Sequence, residues 1–283
     1  MAYGPFENVE PLTFSQIQIF FTYPFPLPYF MKATRDIYVS HWGSIAVDEY
    51  FYLFNQAAGI NGQFSRVDYM PHINPSHGQN AINSLGTSLP VYISGLYYYD
   101  YIGNISTSNA ERKSDHVSFS IEPRFPIFGQ WKTDWNQGYQ MPTEHHLFQD
   151  KDKPSEHTLE VDFMHAYDKS LAEDYQVKVI LPEGSTNIRV ELIGAIEPDS
   201  IEMGKYFGTL DYFGRPEVII KKKNAVHEIC DSSIRVTYTF DNQRDLYLEP
   251  ICVFGLLFSL YLAAIIYSRL GLTLESKKKV HRD

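Results

Sequence analysis

Two hydrophobic patterns divide this chain. Over most of its length apolar and polar residues alternate one by one. Near the C-terminus the alternation gives way to an unbroken apolar run. Alternation with period two marks strands that bury one face. It predicts strands over Phe14–Tyr23, with Ile17 and Ile19 on one face, and over Asp36–Ser40 and the aromatic-rich Ser44–Phe54. Further strands are predicted at Val117–Ile121, Leu159–Phe163, Tyr175–Leu181, Ile188–Leu192, Val218–Ile220 and Ile234–Phe240. Glycine and proline punctuate these segments, and no amphipathic helix competes with them. The fold class is therefore mainly β: an antiparallel β-sandwich ectodomain, built as one large or two small β-subdomains. Asp168–Glu173 reads as a helical turn and Gly59–Gly95 as loop-rich. Lys151–Pro154 is either a subdomain boundary, dividing the chain near 150–154, or a surface loop.

The apolar run is Pro250–Ser268, which holds no charged residue. About 19 residues at roughly 1.5 Å each give about 28 Å, close to the hydrocarbon thickness of a bilayer. A single transmembrane helix is expected over 246–269, because only a helix satisfies its own backbone in lipid. A buried core helix is the other reading, but core helices rarely stay apolar on every face. Arg269, Lys277, Lys278, Lys279 and Arg282 follow the run. Positive flanks lie on the cytosolic side. Residues 1–245 then form an ectodomain, lumenal or extracellular, and 270–283 a short basic cytosolic tail. Met1-Ala2-Tyr3-Gly4-Pro5 does not begin a signal sequence, so either the chain is part of a longer precursor, the favoured expectation, or its start is placed too late.

Composition narrows the function. The formal net charge of −10 over 283 residues argues against a nucleic-acid binder. The basic run Lys221-Lys222-Lys223 reads as a solvated loop. Of 2 cysteines, Cys252 lies in the span and Cys230 is alone outside it, so no disulfide staples the ectodomain.

The candidate chemistry is sparse. Asn104-Ile105-Ser106 is an N-glycosylation sequon. His72 and His77, and the adjacent His145 and His146, lack the spacing of metal ligands, so no metal or other cofactor is expected. No nucleophile motif or phosphate loop is present. Tyr97, Tyr98, Tyr99 and Tyr101 read as a strand with aromatics on both faces, or as a patch that stacks carbohydrate or contacts protein. The run Pro123–Thr133 carries two prolines, a glycine and three large aromatics. It reads as a rigid crossover for packing, or as a docking loop through Arg124, Phe125, Phe128 and Trp131. Within the span, Gly255, Ser259 and Ala263 lie four apart on one face, a small-residue stripe that suits close packing of a second helix. Lys279-Val280-His281-Arg282-Asp283 reads first as a positive flank, and is also similar to lysine-based retrieval tails.

The run Arg124–Thr133 resembles the Arg-Phe-Pro-Leu-Phe-Gly-Gly-Trp-Lys-Thr signature of the ribophorin I family, with Ile127 and Gln130 as variants. Further motifs follow in family order: Ser40-His41-Trp42-Gly43, Phe64-Ser65-Arg66, Ile102–Thr107, Ile180–Gly184, Phe213–Pro216 and Tyr238-Thr239-Phe240. The resemblance implies a non-catalytic subunit of the eukaryotic oligosaccharyltransferase complex, single-pass type I in the endoplasmic reticulum membrane. It implies scaffolding and substrate access during transfer of a preassembled glycan from dolichyl diphosphate to Asn-x-Ser/Thr. Its implied partners are the catalytic and accessory subunits, the membrane and nascent polypeptides. The competing expectation is a single-pass lectin-like or receptor-type binding module of the secretory pathway, which would be stable without partners.

Overall fold

A computed structural model describes residues 25–65, 80–165, 167, 170–194, 196–208, 211, 213–226, 232–241 and 247–270. In chain order the strands are β1 (Pro28–Val39), β2 (Ser44–Asn55), β3 (Leu85–Pro90), β4 (Ser94–Asp100), β5 (Gly103–Asn104), β6 (Asn109–Arg112), β7 (His116–Ile121) and β8 (Lys132–Pro142). There follow β9 (Leu147–Gln149), β10 (Glu156–Asp162), β11 (Leu171–Ile180), β12 (Thr186–Ile193), β13 (Ser200–Tyr206), β14 (Arg215–Ala225) and β15 (Ser233–Thr239), then the α-helix α1 (Leu248–Arg269).

The strands form three sheets. The largest runs β13-β14-β11-β1-β2-β8-β4-β5, beside a four-stranded sheet β12-β15-β10-β9 and a three-stranded sheet β3-β7-β6. Alternation sets what each face does. Ala33, Ile37 and Val39 on β1, Val47 and Phe51 on β2, and Val177 and Val179 on β11 all turn inward and are fully buried. They meet Leu159 and Val161 of β10 and Ile234, Val236 and Tyr238 of β15 in one continuous core, which also takes in Val117, Phe119 and Ile121 of β7. Each buried Val, Leu, Ile or Phe side chain among them contributes about 1.5–3 kcal/mol relative to exposure. With no disulfide among the described residues, this core carries the stability.

The predicted strands from Asp36 onward are found, with longer bounds. Phe14–Tyr23 lies outside the described residues. Among the described residues all strand pairs are antiparallel except β1 and β11, which run parallel with Ile37 opposite Val179. Alternation reveals a buried face but not the direction of a neighbour, so this pair was not foreseen. Two local readings are corrected. Lys221-Lys222-Lys223 is not a loop but part of β14, paired with Gln176, Tyr175 and Asp174 of β11. The Lys221 ammonium reaches Glu202 of the edge strand β13 at 2.8 Å. The helical turn expected over Asp168–Glu173 is absent at its end, where Leu171 already opens β11 opposite Tyr29. Lys151–Pro154 closes the β9–β10 hairpin, where Asp150 N–H donates to Glu156 O at 3.1 Å. The loop-rich Gly59–Gly95 contains β3 and the start of β4.

Candidate functional site: the aromatic crossover and the apolar helix

The crossover before β8 is held from below by Asn55, at the end of β2. Its side chain is fully buried. The amide donates to Asn80 O at 2.7 Å and Ile127 O at 2.9 Å, and its oxygen accepts from Leu27 and Ala57 N–H at 3.1 Å each. Every hydrogen-bonding position of the side chain is thus used, as burial requires. Gly129 crosses against Ala58 so closely that a Cβ would overlap the Ala58 carbonyl, which is why glycine stands there. Gln130 next to it has φ of +67°, the left-handed region where the family signature carries glycine.

The aromatics of this run divide. Phe128 is buried, with Trp131 packed edge-on at 5.3 Å. Phe64 covers both, at 5.4 and 5.3 Å. Phe125 is 41% exposed and reaches Trp131 at 6.0 Å. Phe128 therefore anchors, while Phe125 and Phe64 form the open rim. Arg124 turns the other way and clamps the β4–β5 hairpin. Its Nε donates to Asp100 Oδ2 at 2.5 Å and its Nη2 to Asp100 Oδ1 at 3.0 Å and Gly103 O at 3.1 Å. The guanidinium bonding holds the Asp100 carboxyl below its usual range. Two signature runs, Ile102–Thr107 and Arg124–Thr133, are thus tied to each other. The sequon residue Asn104 stands exposed on β5, the last strand of the large sheet, while Ile105 beside it is buried.

Other signature runs also meet in pairs. His41, in the turn between β1 and β2, bonds the Tyr238 hydroxyl at 2.9 Å and stacks on Phe240 at 4.2 Å. Leu181 N–H donates to Pro216 O at 2.9 Å, and Phe213 N–H to the Glu183 carboxylate. The tyrosine cluster is a strand with aromatics on both faces: Tyr98 of β4 is buried, Tyr97 and Tyr99 lie on the opposite face, and Tyr101 projects from the following turn.

Sequence reasoning missed a buried polar group between the sheets. Arg35 of β1 donates to Glu49 of β2 at 2.8 Å, to Met164 O at 3.1 Å and to the Tyr139 hydroxyl at 3.2 Å. Gln137 of β8 donates to Glu49 at 2.8 Å and accepts from Tyr167 at 2.6 Å and Trp135 at 3.2 Å. The only signal in the sequence was a charge at an inward position of an alternating strand.

His145 and His146 lie against Tyr92, and His146 also bonds Glu160 O at 3.0 Å. No metal-holding group of side chains occurs among the described residues. His72, His77, Cys230 and the tail with Lys279 lie outside those residues.

In α1 the 20-residue segment Pro250–Arg269 has mean hydropathy 2.2, long and apolar enough to cross a membrane, and none of its residues is buried against the rest of the chain. Gly255, Ser259 and Ala263 lie exposed along it, and nothing stands within 4 Å of a Cβ at Gly255. Ser259 donates to Leu256 O at 2.7 Å within the helix, leaving its lone pairs as the group a neighbour could use.

A mostly β domain followed by one helix able to cross a membrane defines the class. The chain belongs to the Ribophorin I family, whose family model matches residues 1–268. It is 34% identical to dolichyl-diphosphooligosaccharide–protein glycosyltransferase subunit 1 of Caenorhabditis elegans, over 97% of this chain and 46% of that protein. It is 36% identical to subunit 1A of the same glycosyltransferase from Arabidopsis thaliana, over 97% of this chain and 43% of that protein. The chain thus spans about half the length of the curated relatives it matches. Among solved structures, leukotriene A4 hydrolase of Saccharomyces cerevisiae is similar at 10% identity and a TM-score of 0.41, over 74% of this chain and 29% of that one. A likeness that slight bears on neither fold nor function.

Proposed function

We propose that this chain acts as a non-catalytic subunit of the dolichyl-diphosphooligosaccharide–protein glycosyltransferase, supporting protein N-glycosylation by scaffolding and by giving nascent polypeptides access to the complex. Family membership along nearly the whole chain carries the reading, together with relatives that bear that subunit's name. Residues 1–245 stand in the lumen of the endoplasmic reticulum, 246–269 cross its membrane, and 270–283 face the cytosol. The basic residues after α1 favour this orientation. The rim of Phe64 and Phe125 and the small-residue face of α1 are the surfaces offered to other subunits. The test is affinity purification of the tagged chain from endoplasmic reticulum membranes in mild detergent. Glycan transfer to an Asn-x-Ser/Thr peptide should co-purify with it and be absent from the chain stripped of its partners. Recovery of the chain alone would overturn the subunit role, and transfer by the stripped chain would overturn the non-catalytic one.

A further inference from the structure

The outward face of the large sheet carries a pocket of about 170 Å³ lined by Thr34, Asp36 and Tyr38 of β1, Asp48 and Tyr50 of β2, Tyr97 and Tyr99 of β4, and Asn136 of β8. Its construction starts from a glycine. Gly138 of β8 stands between Tyr97 and Asp48 in register. A Cβ there would overlap the Tyr97 ring, so its absence lets that ring lie across β8 and donate its hydroxyl to the Asp48 carboxylate two strands away. Tyr99 stacks beside it, with centroids 5.8 Å apart and planes 24° from parallel, and is 38% exposed.

Asp36 and Asp48 face each other directly across β1 and β2. Like charges in that relation repel, and a fold gains nothing by placing them so. Asp36 Oδ2 accepts from Lys178 at 3.3 Å, whereas Oδ1 is covered by protein and has no hydrogen-bond partner. The terminal carboxyl torsion is broad, so either oxygen can turn toward the pocket. Burial raises the Asp36 carboxyl above its usual range, and lifts the Tyr38 and Tyr97 hydroxyls above the usual phenol range, so these two remain protonated.

We infer that this pocket binds a neutral hexopyranose unit of an oligosaccharide, with the sugar's apolar face against Tyr99 and its hydroxyls shared among Asp36, Asn136 and Thr34. Stacked aromatic rings beside paired acceptors and an amide match a ring that is apolar on its faces and hydroxylated at its rim. A basic peptide is the other ligand that carboxylates beside tyrosines would suit. The lysine already paired to Asp36 and the hydroxyl and amide character of the remaining wall favour the sugar. The pocket belongs to this chain alone, so its occupancy does not depend on the subunit role proposed above.

The test uses the full chain in detergent on a printed array of neutral hexose and N-acetylhexosamine oligosaccharides, with a tri-arginine peptide as the second arm. Binding of one or more glycans is expected, unchanged by added salt. It should weaken roughly tenfold or more in Tyr99→Ala and in Asn136→Leu, the size expected for one lost stacking or hydrogen-bonding contact. Circular dichroism checks that each variant keeps its sheets. No glycan binding by the intact chain, glycan binding indifferent to both folded variants, or salt-sensitive binding of the peptide alone would each overturn the inference.

Discussion

At the scale of single residues, this domain is decided where the backbone runs closest. Gly129 has no room for a methyl group, because the obstacle is the Ala58 carbonyl rather than a side-chain end that could swing away. Gly129→Ala should therefore cost about 3 kcal/mol, the upper range for overpacking, and lower the denaturation midpoint with the slope unchanged. The same substitution at Gly62, which has φ of +95° and open space, should cost only its backbone strain, about 1–2 kcal/mol. Asn104 presents the opposite case, exposed at a sheet edge and free of packing duties. A glycan is expected on it when the chain is translocated. Endoglycosidase should then raise gel mobility for the natural chain and not for Asn104→Gln. An edge strand that carries a glycan is also shielded from pairing with a second chain.

At the scale of elements, β8 explains what alternation could not reveal. Its inward positions are Trp135, Gln137, Tyr139 and Met141, and the glutamine breaks the apolar series. Gln137 is tolerated there because Glu49 of β2 and Tyr167, both distant in the chain and invisible in a local window, satisfy it together with Trp135 two residues before it. Glu49 also holds Arg35, and both are almost fully buried. Removing one member of such a pair strands the other charge without water. Arg35→Met should accordingly destabilise by about 3–5 kcal/mol in chemical denaturation, whereas Lys221→Met, whose pair is exposed, should change stability by less than about 1 kcal/mol. The helix follows a different rule. In lipid, helices associate through close packing rather than apolar burial, so the stripe of Gly255, Ser259 and Ala263 is the face to test. If the chain is the subunit proposed above, Gly255→Leu combined with Ser259→Leu should reduce co-purification of its partner subunits while leaving membrane insertion intact. Leu257→Ile, on another face, should leave both unchanged. Equal recovery from the two would move assembly to the β domain.

At the scale of the whole molecule, buried histidines link stability to pH. Burial pushes His165 down to about 3 and His41 to about 4, and lowers His157 as well. In the unfolded chain each titrates near 6.5. The folded state then binds fewer protons than the unfolded state below that pH. Their contribution is complete above about 6.5 and is lost as pH falls below it, toward 4 for His41 and toward 3 for His165. His165 is the most enclosed of the three and should account for about 2 kcal/mol between pH 6.5 and 5. Thermal melts across that interval should show the loss. His165→Asn puts an acceptor where Nδ1 stands for Tyr167 N–H and removes the titration, so its melting temperature should fall less steeply with acidification.

The sequence by itself determined many of the extended stretches and the apolar helical one, because those periods are local, whereas β3, β6, β8, β9 and β13 carry no alternation that marked them in advance. Val117–Ile121 and Ile234–Phe240 alternate in the sequence just as they do in the sheets. It determined the apolar helix by composition alone, and the family through Arg124–Thr133. Only the tertiary structure decided that β1 lies parallel to β11, that Lys221–Lys223 belong to a strand, and that Arg124 serves the hairpin bearing Asn104. It alone brought Asp36, Asp48, Tyr97 and Tyr99 to one pocket across a glycine. The reason is the reach of the interactions: alternation records whether a residue is buried, whereas a pairing partner, an ion pair or a pocket wall comes from residues distant in the chain, and no local pattern encodes which ones.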